Sequence, residues 1–77
     1  MSNYLQKIKN IIESKLGVDP EDIKPDSYFE DDLNISEWEL LEVLQELEET
    51  YQIDLTENKD EIESVADLLD ALSEKLD

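Results

Sequence analysis

Seventy-seven residues with no cysteine, no histidine, no arginine and a single glycine make one small domain, and they exclude disulfides, thiolate or imidazole catalysis and a glycine-rich phosphate loop. The net charge is −17, from 23 acids against 6 lysines, so the chain repels nucleic-acid phosphates and anionic bilayers and attracts basic protein patches. No apolar run approaches the roughly 20 residues of a membrane span, and no signal-peptide core is visible. A soluble, cytoplasmic, monomeric protein over residues 1–77 is expected, with no nucleic-acid and no membrane partner. The charge is uneven. Up to Gly17 one acid faces three lysines; from Val18 onward 22 acids face three lysines.

The first predicted helix spans residues 3 to 16. Leu5, Ile8, Ile12 and Leu16 form its apolar stripe and Ile11 widens it. Ser2 or Asn3 can cap its start. Gly17 stands where a left-handed C-terminal cap is wanted, with Val18 folding back on the last turn. Residues 18 to 35 read as a long loop. In it Asp19-Pro20 starts a short turn, with Asp as cap and Pro at the first helical position, and Pro25-Asp26-Ser27 marks a second break. A connection this long is held by its own side chains or serves a function; Val18, Ile23, Tyr28, Phe29 and Leu33 are the expected pins. Asp31 and Asp32 precede the second helix, whose positive dipole end favours acids.

The second helix is predicted over residues 37 to 50. Leu40, Val43, Leu44, Leu47 and Tyr51 recur at helical spacing. Ser36 followed by Glu39 reads as a capping box. Glutamates at 37, 39, 42, 46, 48 and 49 crowd this segment with no lysine among them. At 100° per residue, Trp38 points about 160° away from the apolar stripe. Ile53 and Leu55 alternate inward after the helix. Residues 57 to 62 are predicted as a short helix, with Thr56 as cap and Ile62 as anchor. The last helix runs from Ser64 to about Lys75, opened by Ser64-x-x-Asp67, with Val65, Leu68, Leu69, Leu72 and Leu76 as its stripe. The predicted fold is an all-α, four-helix bundle of three main helices and one short one, with a long loop between helices 1 and 2.

Acids spread over exposed faces do not make a catalytic pair, so no enzyme activity and no catalytic residue is expected. Asp54, Thr56, Asn58 and Asp60 alternate as in an EF-hand. Lys59 and Val65 stand where that loop needs Gly and Glu, which rejects it. Weak divalent binding at Glu30, Asp31 and Asp32 is the remaining metal chemistry.

Nearly the whole chain resembles an acyl carrier protein: helix one, the Val-Asp-Pro-Glu-Asp-Ile-Lys-Pro run of residues 18 to 25, helix two, a short helix and a final helix. The family signature is a Phe, then Asp-Leu-Gly-x-Asp-Ser-Leu opening helix two, then an acidic helix ending near Leu-Glu-Glu-x-Phe. Phe29, Asp32-Leu33 and Leu47-Glu48-Glu49-Thr50-Tyr51 match it without a gap. In that register Asn34 stands for the Gly, Ser36 for the Asp, Glu37 for the Ser and Trp38 for the Leu. The resemblance implies a 4'-phosphopantetheine arm on the serine, acyl or aminoacyl cargo on its thiol, a role in fatty acid or polyketide biosynthesis, and docking of the acidic second helix on basic patches of partner enzymes. Glu37 cannot form the phosphodiester.

Three readings follow. The first is an acidic interaction module without the arm, presenting Glu37, Trp38, Glu39, Leu41, Glu42, Gln45, Glu46 and Glu49 to basic surfaces of acyl- or aminoacyl-handling enzymes. The second is a working carrier with the arm on Ser36, one residue out of register; Ser36 otherwise serves as cap alone. The third is an acidic mimic of nucleic acid. Trp38 either folds over the loop to cover Phe29 or Leu33, or is a partner contact, as Trp often is at binding hot spots.

Overall fold

The computed structural model describes residues 4–76. Three α-helices, α1 (Tyr4–Leu16), α2 (Glu37–Tyr51) and α3 (Val65–Leu76), are joined by two connections, and each connection contains a 3-10 helix, Pro20–Asp22 or Thr56–Glu61. The expected bundle of three main helices and one short one is present. The short one is a 3-10 helix starting at Thr56 rather than an α-helix over 57 to 62. The expected cap at Ser2 or Asn3 lies outside the described residues. No helix among the described residues is long and apolar enough to cross a membrane.

The three apolar stripes meet in one core. Ile8, Ile11 and Ile12 of α1, Val43, Leu44 and Leu47 of α2, and Val65, Leu68, Ala71 and Leu72 of α3 are buried together. Each stripe buries because its residues recur at the helical period, so one face carries them all. Gly17 ends α1 with φ of 71°, and its N–H donates to the Glu13 carbonyl. Gln52 ends α2 in the left-handed region, with φ of 59°. The final helix opens as expected. The Asp67 N–H donates to Ser64 Oγ, and Asp67 Oδ2 accepts from the Ser64 N–H.

The long loop is held more by backbone than its side chains foretold. Ile23, Phe29 and Leu33 are buried pins and Val18 is half-buried, but Tyr28 is 50% exposed and is not a pin. Its backbone makes the attachment instead. Tyr28 and Ser64 form an antiparallel bridge, with the Phe29 N–H donating to Glu63 O and the Val65 N–H to Ser27 O. Two backbone N–H groups thus find partners at the entrance to α3, where Phe29 and Val65 are buried and Tyr28 is exposed. Ile35, which is not among the expected pins, is 3% exposed and anchors the loop just before α2.

Candidate docking face and attachment position

The start of α2 is fixed by two reciprocal bonds. The Glu39 N–H donates to Ser36 Oγ at 3.2 Å, and the Ser36 N–H donates to Glu39 Oε1 at 2.9 Å. Ser36 is therefore the N-cap and Glu37 the first helical residue. The Glu39 carboxyl is held below its ordinary value, first by the Ser36 backbone N–H and then by the Ser36 side chain. Asn34, at the position of the family's glycine, has φ of 57°. Asn tolerates that left-handed conformation better than most side chains.

From that start, 100° per residue distributes the side chains over four sides of α2. The inner side is the core stripe, completed by half-buried Leu40 and by Tyr51, which packs edge-on to Tyr4 with ring centroids 5.8 Å apart. The outer side carries Trp38, Glu42, Gln45 and Glu49, all exposed. Their spacing of i, i+4, i+7 and i+11 confines them to an arc of about 60°. Trp38 is 78% exposed, so it does not cover Phe29 or Leu33, which are buried by other neighbours. One flank faces α1: Glu39 is engaged in the cap, and Glu46 Oε1 lies 3.6 Å from Lys15 Nζ. The other flank faces the second 3-10 helix. There Glu37 Oε1 lies 3.6 Å from Lys59 Nζ, and Glu48 Oε2 accepts from the Leu55 and Thr56 N–H groups at 2.7 and 3.1 Å.

The eight residues expected at the docking surface are thus divided. Trp38, Glu42, Gln45 and Glu49 share the outer face, half-buried Leu41 borders it, and Glu37, Glu39 and Glu46 lie on the flanks beside partners of their own chain, with Glu37 still exposed. Thr56 is not a cap. Leu55 holds that position without a side-chain bond, and Glu48 together with Asp54, whose Oδ1 accepts from the Thr56 N–H and hydroxyl, takes over the role. That bonding, chiefly to the Thr56 side chain, holds the Asp54 carboxyl below its ordinary value. Glu30, Asp31 and Asp32 are all exposed, and Asp32 Oδ2 is taken by the Tyr28 N–H at 2.8 Å. Among the described residues no three acids gather so as to hold a metal ion.

Lys59 was missed as a site residue. It is the one lysine between Lys24 and Lys75, and that isolation in an acidic stretch was the available signal. It pairs with Asp60 as well as Glu37, each at 3.6 Å. Two hollows meet at Glu37, Leu40 and Lys59. A groove of about 250 Å3 runs between Trp38, Leu41 and Leu44, and a wider hollow of about 510 Å3 reaches Phe29, Ile35, Ser36 and Ile62 on the other side.

A helical bundle whose acidic second helix starts at a capping box, beside a long pinned loop, has the architecture of a carrier domain. Residues 6–72 match the family described as the phosphopantetheine attachment site. The chain is 33% identical over 76 residues to an acyl carrier protein of Thermosynechococcus vestitus, covering 97% of this chain and 94% of that one. It is 36% identical over 69 residues to acyl carrier proteins of Chlamydia trachomatis and Chlamydia muridarum, covering 88% of this chain and 90% of each of theirs. The chain belongs to the acyl carrier protein family, a family of carriers rather than enzymes. Its own residues fit the family's prosthetic group poorly at the expected position. Glu37 offers a carboxylate turned toward Lys59 and no hydroxyl; the nearest hydroxyl, on Ser36, accepts a bond from the helix it caps.

Proposed function

We propose that this chain works without a phosphopantetheine arm, as an acidic interaction module that docks through the outer face of α2 on basic surfaces of acyl- or aminoacyl-handling enzymes. The observation that carries the reading is Glu37 at the first helical position of α2, where the family's gapless register has the modified serine, with its carboxylate beside Lys59. Beyond it, Glu42 and Glu49 follow an exposed Trp38 along the outer face, an arrangement suited to a basic partner: the charges speed encounter and the indole supplies apolar contact area.

The test is incubation with a phosphopantetheinyl transferase and coenzyme A, read by intact mass. Wild type gains nothing, whereas Glu37→Ser, which restores a hydroxyl in the family's register, gains the mass of one arm. A mass gain by wild type refutes the reading. A second reading, with the arm on Ser36, is favoured by that side chain's exposure. Modification of wild type that disappears in Ser36→Ala would establish it.

A further inference from the structure

The connection between α2 and α3 has few attachments of its own. Leu55 and Ile62 are buried in the core, and between them no described side chain is. Glu57, Lys59, Asp60 and Glu61 are exposed. The 3-10 helix over Thr56–Glu61 has Leu55 as its N-cap, which makes no side-chain bond to it. Hydrogen-bond geometry in a 3-10 helix is poorer than in an α-helix, so a piece this short depends on its neighbours. The missing cap comes from α2. Glu48 Oε2 accepts from the Leu55 N–H at 2.7 Å and from the Thr56 N–H at 3.1 Å. Both bonds go to a half-buried carboxylate, which makes them stronger than bonds between neutral groups. Asp54 Oδ1 shares the Thr56 N–H, whereas the Leu55 bond rests on Glu48. At the far end the tie is the 3.6 Å contact of Lys59 with Glu37, between exposed side chains and therefore weak.

We propose that Glu48 is a clasp and residues 54 to 61 a strap. With the clasp made, the strap lies shut against α2; with it broken, the strap swings away as a unit while the three helices stay folded. The stripes of α1, α2 and α3 supply most of the core, so the helices hold one another without the strap. A segment with few buried side chains opens at a lower free energy than the whole domain. Glu48 thus has a positioning task inside the chain, unlike its exposed neighbour Glu49. The device stands whether or not an arm is attached.

Trypsin reads the strap directly. It cuts after lysine, and Lys59 is the strap's lysine; Lys7, Lys9 and Lys15 lie on α1, Lys75 on α3, and Lys24 is protected by Pro25 after it. Under brief digestion the rate of the Lys59 cut follows the open population, and fragment masses separate it from cuts elsewhere. Glu48→Ala is expected to speed the Lys59 cut at least about tenfold, the value of a charge-assisted bond, with far-UV circular dichroism and the Lys15 cut unchanged. Glu48→Gln, which keeps an oxygen acceptor, should restore most of the protection. Asp70→Ala removes one exposed charge from α3 and should leave the rate within about twofold of wild type. No acceleration in Glu48→Ala, an equal one in Asp70→Ala, a Lys15 cut that rises in step, or no rescue by glutamine would each overturn the clasp. Amide exchange of the wild-type chain decides the matter even if Glu48→Ala fails to fold. The Leu55 and Thr56 N–H groups should be protected at least about tenfold less than those of Leu44 and Leu68; equal protection would mean that the strap opens only when the whole domain does.

Discussion

Replacing Ser36 with alanine removes one of the two bonds that start α2, and the size of the effect follows from the geometry. The lost bond is the 3.2 Å contact from the Glu39 N–H to Ser36 Oγ. The reciprocal bond, from the Ser36 N–H to Glu39 Oε1 at 2.9 Å, uses backbone and survives. Ser36 is exposed, so water can reach the freed N–H and no donor is left buried. The cost therefore falls in the lower half of the capping range of roughly 0.5–2 kcal/mol, about 0.5–1 kcal/mol. For a domain of this size that lowers Tm by about 2–8 °C. Ser36→Asp keeps an acceptor at a helix N-terminus and should retain most of the stability. Urea unfolding followed by far-UV circular dichroism measures both, with an unchanged denaturant slope showing that only stability moved. Wild-type stability in Ser36→Ala would refute the cap. A loss above about 2 kcal/mol would show that the serine does more than cap.

Phe29 and Trp38 should respond oppositely to truncation. Phe29→Ala empties a site only 2% exposed and should cost about 3–5 kcal/mol, whereas Trp38→Ala should stay within about 0.5 kcal/mol of wild type in the same unfolding assay. Acid should act in two directions. Glu39 and Asp54 have carboxyls lowered in the fold, so their contribution is present above the unfolded carboxylate value and is lost as pH falls through the lowered folded values. Acid also reduces the net charge of −17 and with it the self-repulsion of the compact state, so stability should pass through a maximum on acidification and then fall. Urea midpoints measured across pH, in low and in moderate salt, check this; a steady decline from neutral pH at low salt would contradict it.

Local rules sufficed wherever one segment decided its own state. The stripes of all three helices, the Gly17 terminus, the Asp19-Pro20 turn and both capping boxes depend on residues within a few positions of one another, and each stands as the spacing implied. The outward direction of Trp38 was set the same way, by its angle from the core stripe. What the sequence left open depended on distant segments. Whether Trp38 covered the loop was decided by tertiary packing, in which Ile35 took a buried place beside Phe29 and the Tyr28–Ser64 bridge set the loop's facing. The glutamates of α2 look equivalent in sequence, yet Lys15 from α1, Lys59 from the second 3-10 helix and the backbone at Leu55 and Thr56 each claim one of them. Helical period sorts side chains by direction, but a carboxylate's occupation depends on which donor the fold brings to its side. Only the folded chain separates the face of Trp38, Glu42, Gln45 and Glu49 from the flanking acids that meet a donor of their own chain.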